Sequence, residues 1–168
     1  MQKNKLKSLI HFHFIVFIFG FTAILGSLIS IDSLSLVWYR MSIAFVVLLI
    51  LSIFLRINIF VSKILLLKML FAGVLIALHW ITFFKAIKVS NVSITLSVLS
   101  LGAFFTSFLE PFFYKRKIIK YEVILGVIVV IGMSLIFRSQ LYYLEGIIYA
   151  LISVFLSVVF ALLNGKLI

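Results

Sequence analysis

The sequence predicts an all-α membrane protein, a polytopic bundle of about six transmembrane helices, from three observations. Of 168 residues, 65% are hydrophobic and only 11% charged, where soluble domains carry about 25% charged residues, so the polar residues suffice only to cap segment ends. The mean hydropathy is +1.39. Apolar runs of about 20 residues recur along the chain, and its Lys and Arg sit in short clusters between them.

A hydrocarbon core of about 30 Å needs about 20 helical residues, and six runs approach that length. The first, residues 9–29, follows Lys3, Lys5 and Lys7 like the basic start of a signal peptide. It has no clean small-x-small cleavage site, and is read as a retained first span behind a cytoplasmic tail of residues 1–8. Residues 34–55 and 64–84 form the second and third spans, and 92–108 the fourth. The fifth, 123–137, is short and extends back toward Ile118, with Tyr121 and Glu122 at the interface. The sixth is 146–163. Connections of a few residues predict antiparallel neighbours in a compact bundle. A β-barrel is excluded because runs such as 45–51 do not alternate apolar and polar residues.

Orientation follows from Lys and Arg. With the N-terminus cytoplasmic, one side collects Lys3, Lys5, Lys7, Arg56, Lys63, Lys68, Lys115, Arg116, Lys117, Lys120 and Lys166. The other holds Lys85, Lys88 and Arg138, which predicts a multi-pass protein of the cell (inner) membrane with both ends cytoplasmic. The net charge of +11 reads as this topology signal, the stretch YKRKIIK at 114–120 being its strongest part, and not as a nucleic-acid surface. The lipid bilayer is thus the expected environment, and nucleic acid is not an expected partner.

Chemistry-bearing residues are few. With no cysteine, no His/Asp/Glu cluster at metal-ligand spacing and no Gly-rich phosphate loop, neither an enzyme nor a metal or other cofactor is expected. Arg40 lies within LVWYRMSIAFVVLLI, about six residues into the second span and roughly 9 to 10 Å from its outer end. It faces a cavity and an anionic substrate group, or it snorkels to the headgroups beside Trp38 and Tyr39, or it pairs internally with Asp32. His79 and Trp80 lie deep in the third span, where an imidazole needs a partner in the bundle or lines a pathway. His11 and His13 point to different sides of a helix and belong to the interface. Glu110, before Pro111, is positioned to pair with Lys115, Arg116 or Lys117, while Glu122 and Glu145 read as ordinary interface charges. Small residues recur as Gly73 and Ala77, Ser93, Ser97 and Ser100, and Ala150, Ser153, Ser157 and Ala161; they let helices approach, and the serines with Thr95 could equally line a polar path.

Two stretches resemble the EamA-type drug/metabolite transporter family. WYRMSIAFVVLLI is similar to that family's second span, and residues 77–137 are similar to its third to fifth spans. The shared features are Ala77 to Phe84, the polar loop at Lys88 to Ser93, Glu110 before the basic turn, and Gly126 with Gly132. Where the family usually has a proline in its fourth span, the stretch from Ser100 to Ala103 has none. The resemblance implies two five-span repeats of inverted topology. Residues 9–137 would be one EamA-like repeat, and 138–168 the first span of a truncated second. It implies a secondary transporter, or half of one, exporting or exchanging a small metabolite by alternating access, its cavity completed by a homodimer or a second repeat. Arg40, His79, Trp80, Thr95 and Ser97 would then bind substrate, with Glu110, Pro111, Gly126 and Gly132 structural or gating. The alternative is a non-transporting membrane component that packs on a partner through its serine and glycine stripes.

Overall fold

The structure, a computed structural model, describes residues 2–57 and 59–167, and the side chains of 5–57, 59–138 and 140–167. Residue 1 of the predicted tail and residue 168 of the predicted final segment lie outside the described residues. Among the described residues there are helices and no strands, and six helical stretches are long and apolar enough to cross a membrane. In order they are α1 (Gln2–Leu28), α2 (Ser33–Phe54), α3 (Lys63–Val89), the pair α4 (Val92–Leu99) and α5 (Gly102–Tyr114), α6 (Lys120–Ser139), and α7 (Leu144–Leu167) after a short 3₁₀ turn.

The polar residues between apolar runs act as caps. Asp32 accepts from the Ser35 amide at 3.0 Å, Ser62 from Leu65 at 3.3 Å and Asn91 from Ile94 at 2.9 Å. Each satisfies an N–H that a helix start leaves without an intrahelical partner. Several helices outrun the predicted spans because their ends are polar but still helix-forming. α3 continues to Val89, so Lys85 and Lys88 lie on its last turns. From there the Lys88 ammonium donates to the Ile29 carbonyl just beyond α1 at 2.7 Å, a cation satisfying a free acceptor at a helix end.

The fourth span is interrupted without a proline. At Ser100 and Leu101 the amides reach back three residues, Ser100 to Ser97 and Leu101 to Val98, and the Ser100 hydroxyl donates to the Ser97 carbonyl at 2.6 Å. Hydroxyl back-bonding and a glycine account for such breaks as well as proline does. Here Gly102 lets the restarted helix lie on α7, where a Cβ would stand 3.3 Å from Val154 Cγ2. Pro111 is buried and lies inside α5, three residues before its end.

α3 is the central helix. On one side it packs along α7, and on the other it receives α1 and α2. Two apolar cores result. One gathers Ala86, Ile94, Val98, Leu101, Met133 and Ala150, and the other Ala23, Leu36, Val37, Phe83, Phe84 and Ile87. The α3 and α7 axes run antiparallel in a regular register. Gly146 meets Ser90 and Ala86, and seven residues along each helix His79 meets Ser153. Small residues at these crossings allow the close approach that membrane helices need for van der Waals contact. The stripe foreseen on α7 is used at Ala150 and Ser153, both fully buried within the chain, whereas Ala161 and Gly73 are exposed. One expectation changes: α1 and α2 are consecutive but lean chiefly on α3, which leaves a space between them.

Candidate functional site

The wedge between α1 and α2 is a cavity of about 500 Å³ at the Asp32 end of the bundle. Its position follows from α2's register. Leu36 and Val37 are buried against α3, and Arg40, four and three residues further on, shares their face. Arg40 therefore points across the bundle, seven residues and roughly 10 Å past the first residue of α2. α3 answers with Trp80 and Phe84, themselves one turn apart and stacked at 5.7 Å. The guanidinium carbon lies 4.2 Å from the Trp80 ring centre and 5.8 Å from that of Phe84. Ring quadrupoles attract such a cation by about 0.5–1 kcal/mol when exposed and about 2 kcal/mol or more when desolvated.

Among the described residues the Arg40 charge meets no carboxylate. Both ion pairs among the described residues belong to Arg116, and Asp32 is occupied as the α2 cap. Hydrogen bonds from the Ser35 hydroxyl and amide hold the Asp32 carboxyl below its ordinary value. The other cavity walls are Thr22 and Gly26 of α1, Tyr39 and Ile43 of α2, and Phe84. Gly26 is essential to the shape, because a Cβ there would run into the Phe84 ring. This apolar pocket with one hydroxyl, one phenol and one guanidinium has the make-up of a small-molecule site.

Residues 7–138 of the chain match the EamA-like transporter family. The chain belongs to that family. The match covers the first five spans, with α7 beyond it. No curated protein and no solved structure matches the chain. EamA membership, with six helices able to cross a bilayer, makes this a multi-pass membrane protein of transporter type and not of an enzyme type.

In this EamA-like chain the residues predicted to contact substrate do not all converge. Arg40 and Trp80 come together. His79, next in sequence, keeps its ring 5.0 Å from that of Trp80 but turns toward α7 and is buried, its Nδ1 2.9 Å from both the Ser153 hydroxyl and the Ser153 carbonyl oxygen. The Ser153 hydroxyl also lies 3.2 Å from the His79 carbonyl, so the pair stitches α3 to α7. Thr95 is fully enclosed, donating to the Asn91 carbonyl at 2.9 Å. Ser97 lines a second, more polar cavity of about 660 Å³ with Ser27, Ser90, Asn91, Ser93 and Gln140. Thr22, Gly26 and Gln140 were not singled out from the sequence. Nothing in a local pattern marks them, since their role depends on which helix lies opposite.

Of the residues predicted to be structural or gating, Glu110 and Pro111 lie at the opposite, basic end, while Gly126 and Gly132 lie further along α6. Lys115 adopts a left-handed conformation, φ 52°, ending α5 and folding the chain back so that Arg116 reaches both Glu110 and Glu122 at 2.9 Å. The hydrogen bond to Glu110 first, then that to Glu122, raises the Arg116 pKa beyond its already high ordinary value. Glu122, an ordinary interface charge by sequence, is thus half of a clamp joining α5 to α6. Gly126 permits the same approach higher up, where a Cβ would stand 2.9 Å from Phe104 Cδ2 and 3.2 Å from its Cα. Gly132 faces open space. Among the described residues no group of three His, Asp or Glu side chains could hold a metal ion.

Proposed function

We propose that this chain carries one wall of the substrate cavity of a secondary transporter that moves a small anionic or amphipathic metabolite by alternating access. The observation that carries the reading is Arg40, held on the Trp80 face with no carboxylate partner among the described residues and opening on the α1–α2 cavity. A charge in a span costs at least about 2.5–3.5 kcal/mol, so one left without an internal counter-ion is suited to a substrate carboxylate or phosphate. The basic residues at the far end support a cell-membrane topology with both termini cytoplasmic, which makes the Arg40 cavity face outward. The opposite wall would come from a second copy of the chain or from a second repeat.

The test uses the two tryptophans of the chain. With Trp38→Phe, emission reports Trp80 alone, and the protein in nanodiscs is titrated with a panel of amino acids, carboxylates and phosphate esters. A panel member that shifts emission is then followed as flux into proteoliposomes. The reading requires that Arg40→Gln remove both responses while helicity stays unchanged. Retained flux in Arg40→Gln would leave Arg40 as an interfacial anchor.

A further inference from the structure

At the basic end, on the side of α3 away from Arg40, lies a groove of about 680 Å³ that the transport reading does not use. Its floor is a helical stripe, with Leu67, Phe71 and Val74 of α3 on one side and Leu163 of α7 on the other. These α3 side chains are open sideways, at 70%, 58% and 57% exposure, in the direction a bilayer's hydrocarbon would occupy. Its mouth carries two lysines from different helices, Lys68 and Lys166. Lys166 lies on the last turn of α7, its ammonium 5.4 Å from the Phe113 ring centre, and Lys68 five residues inside α3. Neither has a carboxylate partner among the described residues, since Glu110 and Glu122 are both taken by Arg116.

We propose that this groove binds an anionic phospholipid, its phosphate between Lys68 and Lys166 and an acyl chain along Leu67, Phe71 and Val74. The site sets cations for the headgroup of such a lipid beside an apolar stripe for its chain. The cations stand at the end of the spans, where headgroups lie, and the apolar stripe runs inward from them. A soluble anion would have no use for the stripe, and a zwitterionic lipid would bring its own cation against the lysines. Basic pockets between transmembrane helices select anionic headgroups for these reasons, and the nearby Lys63, Lys115 and Lys117 raise the local concentration of such lipids without forming the groove. Because α3 and α7 are the groove's two walls, a bound lipid would bridge the seam that His79 and Ser153 close further along.

The test is native mass spectrometry of the full chain released from nanodiscs of phosphatidylcholine containing a minor fraction of phosphatidylglycerol. The expected result is one retained phosphatidylglycerol, weakened about fivefold for each of Lys68→Gln and Lys166→Gln. Lys117→Gln with Lys120→Gln removes the same charge outside the groove and should leave retention unchanged. Phe71→Ser keeps both lysines and should also weaken retention, which separates a seated lipid from one held by charge alone. Circular dichroism checks that each variant is folded. Equal loss in Lys68→Gln with Lys166→Gln and in Lys117→Gln with Lys120→Gln would overturn the proposal in favour of general surface potential. No preference for phosphatidylglycerol over phosphatidylcholine would overturn it outright. Displacement of the lipid by an equal concentration of free glycerol phosphate would reduce the site to an anion site and overturn the lipid.

Discussion

Arg40 and Arg116 stand at opposite ends of one bundle and are held in opposite ways. Arg116 takes two carboxylates, so its charge is answered within the chain and its work is mechanical, drawing the end of α5 onto the start of α6. Arg40 is answered by two ring faces that orient a cation without neutralising it. The lesson is that a charge becomes available to a ligand when its neighbours fix its geometry but not its charge. Each region also depends on a glycine that admits a phenylalanine ring, Gly26 beneath Phe84 and Gly126 beneath Phe104.

The largest expected effect separates the two arginines by function. Arg40→Gln should weaken the ligand response of Trp80 at least tenfold, about 1.4 kcal/mol, while Arg116→Gln leaves it within about twofold. Equal losses would break the comparison. Next come the glycines. Gly126→Val must force apart α5 and α6, an overpacking cost of about 1–3 kcal/mol read as a fall in Tm, whereas Gly132→Val, facing open space, should cost well under 1 kcal/mol. A smaller effect is expected from Arg116→Gln on stability. It leaves Glu110 and Glu122 side by side without a cation, so Tm should fall, and adding Glu110→Gln should recover most of the loss.

The smallest effect is a pH dependence at the Arg40 end. The Asp32 carboxyl lies below its ordinary value of 3.8, because it accepts from Ser35 in the folded chain. A carboxyl lowered on folding stabilises the fold above its unfolded value and loses that contribution as pH falls through the folded one. Thermal stability should therefore decline slightly as pH drops below about 4, and Asp32→Asn, which keeps a capping oxygen, should flatten that decline. An unchanged slope in Asp32→Asn would assign the decline to other carboxylates.

Much of the fold was legible because one physical length governs it. A bilayer about 30 Å thick demands about 20 apolar residues per span, and the chain repeats that length six times with polar caps between. The caps at Asp32, Ser62 and Asn91 lie in short polar stretches, Ser30 to Ser35, Ser62 with Lys63, and Lys88 to Ser93, between long apolar runs, which is why span starts were placed well. Arg40 was conspicuous for the same reason: one charge in an apolar run stands out against its neighbours. Its Trp80 partner, forty residues away, could be suspected on its own account but not joined to it. Gly26 and Gly132 look alike in sequence, yet one underlies a ring and the other faces open space. In a membrane the apolar residues that face lipid and those that face protein are the same kinds of residue, so hydrophobic periodicity says little about which face is inside.

By itself, then, the sequence determined the six spans, their caps, the basic bias of one end and the presence of two chemically exceptional stretches, because each depends on local composition measured against bilayer thickness. Tertiary structure alone decided that α1 and α2 lean on α3 and leave a wedge between them, that His79 turns to Ser153 while Trp80 turns to Arg40, and that Arg116 rather than a neighbouring lysine reaches both Glu110 and Glu122. Those outcomes depend on the rotation of each helix about its own axis. That rotation is set by which small residues let two backbones approach, a property of pairs of helices that no single stretch of chain contains.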